Sequence, residues 1–189
     1  MEEYNLNEAL GNAKSFRQKI EEKSGVKLSD CYQCGKCAAG CPVAFAMDYT
    51  PRQIIRLLQV GLFEEALQAK SVWLCAACET CYARCPHGVG IPKIMEAVRI
   101  EADKKGIKPE KTLDLFTNLF LQSVEKYGRV HEMGMMVRYN ILSLKPFQDA
   151  TSAPKLFFTG KISPLPHKIK DNGAVKKIFE NVRAKGGNV

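Results

Sequence analysis

The sequence predicts an all-α chain, and three observations carry that prediction. Apolar residues recur at three- and four-residue spacing along most of its 189 residues. Prolines and glycines fall where helices would begin and end, and the two-residue alternation of strands is scarce. All eight cysteines sit in two copies of one pattern, CYQCGKCAAGCP from Cys31 to Pro42 and CAACETCYARCP from Cys75 to Pro86. Whatever those thiols hold therefore organises the middle of the chain.

Leu6, Ala9, Leu10, Ala13, Phe16 and Ile20 lie at helical spacing, and Gly25 supplies the stop, so an N-terminal helix occupies 1–24. After the first motif, Thr50 and Pro51 read as N-cap and first helical residue, where the N–H that proline lacks has no partner to lose. Ile54, Ile55 and Leu58 form the apolar stripe of that helix. Gly61 ends it, and LFEEALQ resumes with Phe63, Ala66 and Leu67 inward. After the second motif, Pro92 opens a helix through Ile94, Met95, Val98 and Ile100 that Gly106 ends, which closes a cysteine-bearing segment over 25–106.

A helical hairpin is predicted over 107–143. Its first helix covers 109 to 127, with Leu113, Phe116, Leu119, Phe120 and Val124 on one stripe, and its second runs from about 130 to 143 beyond Gly128. Met133, Met135 and Met136 read as core filling there. Over 144–189 the pattern loosens into an extended arm, with Pro164 and Pro166 forbidding helix, before a last basic helix from about 174 to 185.

At this length the chain can bury a core without disulfide staples. It opens with no charged-then-apolar leader and holds no run of about eighteen apolar residues, so a soluble, cytoplasmic chain without a membrane span is expected. In a reducing compartment clustered cysteines bind metal rather than each other. The net charge is +8, and most of it lies in 144–189, where nine Lys and Arg face only Asp149, Asp171 and Glu180. No aromatic-interleaved basic motif accompanies that excess, which speaks against nucleic acid and for a partner-docking arm with Leu156, Phe157, Phe158 and Ile178 as anchors.

Each cysteine motif reads C-x2-C-x2-C-x3-C-P. Three thiolates at that spacing can turn onto one face of a four-iron, four-sulfur cube, while the fourth lies too far along to close the same cage and serves the neighbouring cluster. The expected sets are Cys31, Cys34, Cys37 and Cys85 for one [4Fe-4S] cluster, and Cys75, Cys78, Cys81 and Cys41 for the other. Zinc would leave the third spacing and the repeated proline unexplained. With eight thiolates, two cubes are saturated, so His87, His131 and His167 are not needed as ligands, and His87 reads as a loop histidine near one cluster. Trp73 and Leu74 are expected to pack over the second cluster. No phosphate cradle and no nucleophile paired with a base accompanies the cysteines, so the expected work is electron transfer without a catalytic residue on this chain.

From about 25 to 105, the run CYQCGKCAAGCP, then TPRQIIRLLQVG, then WLCAACETCYARCPHGVGIPKIMEAVR resembles the alpha-helical ferredoxin module of the small iron–sulfur C subunit of soluble CoB-CoM heterodisulfide reductase from methanogenic archaea. The resemblance implies a non-catalytic relay subunit of an oxidoreductase complex. Its implied partners are a flavin and iron–sulfur A-type subunit that delivers electrons and a cysteine-rich B-type subunit that reduces the heterodisulfide in methanogenesis. A hydrogenase or formate dehydrogenase module is a further implied partner. The alternative is a freestanding ferredoxin-like carrier or the iron–sulfur subunit of another respiratory-type enzyme, because the module is shared with such proteins.

Overall fold

A computed structural model describes residues 6–146, 159, 163 and 165–185, with side chains from 15 onward. Among the described residues the chain is helical with no strand, as the spacing of its apolar residues requires. Contacts divide it into two units, one up to Glu110 and one from Lys111.

In the first unit, α1 (Leu6–Ser24) ends at Gly25, whose φ of +66° is the left-handed turn that glycine allows. A short helix, α2 (Lys36–Ala39), lies inside the first cysteine motif. Next comes α3 (Pro51–Val60), entered through a capping box in which the Thr50 N–H donates to Gln53 Oε1 at 2.8 Å and left through Gly61 at φ +86°. Then follow α4 (Phe63–Gln68), α5 (Lys70–Leu74), α6 (Thr80–Ala83) inside the second motif, and α7 (Ile91–Lys104). Ile20 of α1, Ile54, Ile55 and Leu58 of α3, Leu67 of α4, Val72 of α5, and Ile94, Met95 and Val98 of α7 are buried together. Each contributes about 1.5–3 kcal/mol by leaving water. The two motifs are mounted on this core, which Cys37 joins and against which Cys31, Cys75, Cys81 and Cys85 pack.

Asp48 explains α5, which the sequence pattern does not announce. Its carboxylate accepts the Lys70 N–H at 2.8 Å and the Ser71 N–H at 3.0 Å, and it bonds the Ser71 hydroxyl, so a residue from before α3 caps a helix leading into the second motif. Burial would raise the Asp48 pKa, but these hydrogen bonds, led by Ser71, outweigh it and hold the group below the usual carboxylate range.

Glu101 of α7 is buried at 3% exposure and takes Lys19 and Lys23 of α1 as ion partners, with Lys104 at 3.6 Å. Burial alone would raise its pKa, yet the hydrogen bonds from Lys19 and Lys23 prevail and hold it at about 2. A depressed carboxylate contributes stability above its unfolded pKa and loses it as pH falls through the folded value. Glu101→Gln is therefore expected to lower stability by about 2 kcal/mol at neutral pH, discounted for the exposed lysines. That deficit should shrink as pH falls from about 4.5 towards about 2; urea melts of both proteins followed by circular dichroism check it, and a deficit independent of pH would remove the ion pairs from the account.

The second unit holds α8 (Lys111–Tyr127), α9 (Glu132–Leu142) and α10 (Asn172–Ala184). The helix expected from 109 begins at Lys111, after Pro109 and Glu110. Gly128, at φ +77°, turns the chain between α8 and α9. Within this unit α10 packs on α8. Phe179 is buried there and Arg183 grips Glu125 with two bonds of 2.8 and 2.7 Å. Of the expected stripe on α8, Leu119 is buried while Phe116 and Phe120 stay about two-fifths exposed. Met133, Met135 and Met136 are half-buried. No helix among the described residues is long and apolar enough to cross a membrane.

Candidate metal centre

The two cysteine motifs repeat in conformation as well as in sequence. Gln33 and Gly35 in the first have φ of +65° and +85°; the equivalent Ala77 and Glu79, forty-four residues on, have +50° and +61°. Left-handed backbone at a residue with a Cβ costs about 1–2 kcal/mol, so Gln33, Ala77 and Glu79 hold strained turns that the rest of the unit must impose. Each pair of turns leads into the short helix of its own motif, α2 or α6, and those two helices pack against each other. Their contact brings equivalent residues face to face. A Cβ on Gly40 would lie 2.7 Å from the Arg84 side chain, so the small residue before Cys41 makes room for the large one before Cys85.

That pairing exchanges the fourth cysteines. Cys31, Cys34 and Cys37 border one small cavity together with Cys85 of the other motif, and with His87, Lys36, Arg52 and Asp30 on its wall. Cys75, Cys78 and Cys81 border a second together with Cys41; the rest of its wall includes Val43, Met47, Pro51, Ile91, Pro92 and Met95 and no charged side chain. All eight cysteines are free thiols. Among the described residues no three His, Cys, Asp or Glu converge tightly enough for one metal ion; the thiols of each set surround a space instead, which suits a polynuclear iron–sulfur group better than a zinc ion.

Other contacts equip these walls for thiolate. The Val89 N–H donates to Cys85 Sγ at 3.3 Å, and Gln33 Nε2 lies 3.5 Å from Cys31 Sγ. The bond with Thr80, 3.4 Å from Cys78 Sγ, lowers the Cys78 pKa. Burial pushes the Cys37 thiol up, and burial followed by the Cys75 charge pushes Cys81 to about 11.

Each motif is also clamped at its entrance. Gln59 of α3 donates through Nε2 to the carbonyls of Leu28 at 2.7 Å and Cys31 at 2.8 Å. Arg99 of α7 does the same for Val72 at 2.7 Å and Cys75 at 2.8 Å. The clamped carbonyls occupy equivalent positions in the two copies. Sequence reading missed both clamps, because a half-buried polar residue on a helix flank carries no local signal.

His87, exposed, lies against Tyr32 at the first cavity, the ring centroids 4.7 Å apart and the planes tilted by 55°. His131 sits in the second unit before α9, with Nε2 3.3 Å from the Ser163 carbonyl, and His167 is exposed. The expected cover of the second site differs from what is seen. Trp73 packs against the core, and neither it nor Leu74 is among the residues lining the second cavity.

Residues 27–89 match the family model of a 4Fe-4S dicluster domain. This domain includes every cysteine described above and its name agrees with two sets of four thiols. The chain is 43% identical over 87 residues to the iron-sulfur C subunit of CoB–CoM heterodisulfide reductase from Methanopyrus kandleri, covering 46% of this chain and 45% of that protein. It is 40% identical over 93 residues to the C subunit of the H2:CoB-CoM heterodisulfide, ferredoxin reductase from Methanothermobacter marburgensis, covering 49% and 50%. The C subunit of the ferredoxin:CoB-CoM heterodisulfide reductase from Methanosarcina acetivorans is 33% identical over 109 residues, covering 58% and 44%. The chain thus spans about half the length of the curated relatives it matches. Their names bear out the resemblance to heterodisulfide reductase C subunits drawn from the dicluster motifs.

Proposed function

We propose that this chain is the electron-relay subunit of a heterodisulfide reductase complex, with Cys31, Cys34, Cys37 and Cys85 holding one [4Fe-4S] cluster and Cys75, Cys78, Cys81 and Cys41 the other. The observation that carries the reading is the make-up of the two cavities, each bordered by three thiols of one motif and the fourth of the other. When bound, such clusters take up and release single electrons. The protein's own residues supply the rest. Four thiolates saturate each site and leave no cysteine to attack a disulfide. The strained turns at Gln33, Ala77 and Glu79 aim the thiols, and the second site's wall adds no charged side chain to them. Substrate chemistry then belongs to partners: a flavin-bearing A-type subunit that supplies electrons and a B-type subunit that reduces the CoM-S-S-CoB disulfide, in the cytoplasm. The basic segment from 144 onward is assigned to partner contact, with Ile178 exposed on α10; Leu156, Phe157 and Phe158 lie outside the described residues.

The test uses the full chain loaded with iron and sulfide. Dithionite should bleach its broad visible absorption, while the heterodisulfide stays unreduced until a B-type partner is added. Steady disulfide reduction by the chain alone would place catalysis on these cysteines and overturn the relay reading.

A further inference from the structure

Beside the first cysteine site the surface opens into a groove of about 650 Å³ whose wall includes Cys31 and Tyr32 and three arginines, Arg17 of α1 and Arg52 and Arg56 of α3. No acidic side chain lines it. Arg17 is partly balanced by Glu21 at 3.2 Å. Arg52 and Arg56 are exposed, and no carboxylate pairs with either among the described residues. Arg52 also borders the first cavity, so the groove and the site share a wall. The second site offers no counterpart, since its wall carries no charge.

Resting on the relay reading, we propose that this groove is the docking surface for an electron-carrying protein whose redox group is rimmed by carboxylates. Three guanidiniums on one open face recognise carboxylates in the planar, two-pronged manner that lysine does not match. They sit where an approaching carrier would come within reach of Cys31. Long-range attraction to such a patch raises the encounter rate and fixes orientation, and both effects weaken with salt. A groove this wide and open suits a protein edge better than a small anion, which needs enclosing groups. The wall of the second site carries no such charges, so the two sites offer a partner chemically different surroundings.

The experiment mixes the iron-loaded full chain with a reduced acidic flavodoxin, each flavodoxin giving up one electron as one enters this chain, and follows the rate by stopped flow. At low salt R52E/R56E is expected to slow transfer about tenfold, and the wild-type advantage to vanish at high salt. K111E/K126E on α8 changes the net charge equally and should alter the rate less than about twofold. R56E alone, away from the first cavity, should slow transfer severalfold even if Arg52 proves necessary for cluster loading. Equal slowing by the two double variants would reduce the effect to overall charge and overturn the proposal. So would absence of transfer from flavodoxin to a wild-type chain that dithionite does reduce, or tight binding of inorganic pyrophosphate that blocks transfer at matched ionic strength. A chain that dithionite fails to bleach would instead remove the relay reading itself.

Discussion

Cys85→Ala is expected to destroy the cluster of the first motif while sparing that of its own motif, and Cys41→Ala to do the reverse. The cavities make this a sharp expectation, because Cys85 borders the space of Cys31, Cys34 and Cys37, and Cys41 that of Cys75, Cys78 and Cys81. Each single variant should keep about half the iron, so the pairs decide the matter. C34A/C85A removes two ligands of one set and should still keep about half the iron. C78A/C85A breaks both sets and should keep almost none. Iron analysis with paramagnetic resonance on the purified proteins reads the outcome. The reverse ranking of the two pairs would mean that each motif closes its own cluster and that the crossing is wrong.

That the eight cysteines form two equivalent motifs is legible in the sequence because the same spacing recurs forty-four residues on, and the contact between α2 and α6 brings the two copies together. Helix ends are legible as well. Thr50, Pro51, Gly61, Gly25 and Gly128 act within a turn of where they stand, through a cap, a fixed φ or a left-handed exit. What the sequence hides is non-local. The α5 helix depends on Asp48, which lies twenty-two residues before Lys70 along the chain and has no periodic signature. Left-handed turns at Gln33, Ala77 and Glu79 carry no glycine to mark them; only alignment of Glu79 with Gly35 across the two motifs could expose one. The stripe on α8 forecasts amphipathy correctly but not what covers it, and Phe116 and Phe120 remain exposed. The basic excess marks the arm as charged but does not reveal that Phe179 is the buried residue of α10.

Arg99→Gln is expected to lower the reduction potential of the cluster held by Cys75, Cys78, Cys81 and Cys41 and to leave the other unchanged. The two clamps do one mechanical job with different charge: Gln59 holds the Leu28 and Cys31 carbonyls as a neutral amide, and Arg99 holds those of Val72 and Cys75 as a cation. No carboxylate pairs with Arg99 among the described residues, so its charge acts undiluted on a site whose own wall has none. Reduction adds negative charge, and a fixed cation nearby favours it. A difference of ~1 kcal/mol corresponds to about 40 mV on a one-electron couple, and a shift of that order is expected. Glutamine can restore a donor to the clamped carbonyls, which separates charge from geometry, and Arg99→Lys should retain most of the potential even where it loosens the clamp. Arg99→Ala removes donor and charge together; leaving two carbonyls unpaired should cost a further ~1–3 kcal/mol in stability. Redox titration of the three variants, read by paramagnetic resonance for each cluster, tests the assignment. Equal potentials in wild type and Arg99→Gln would confine Arg99 to holding the backbone, and an equal shift of both clusters would show that its charge is not local to the second site.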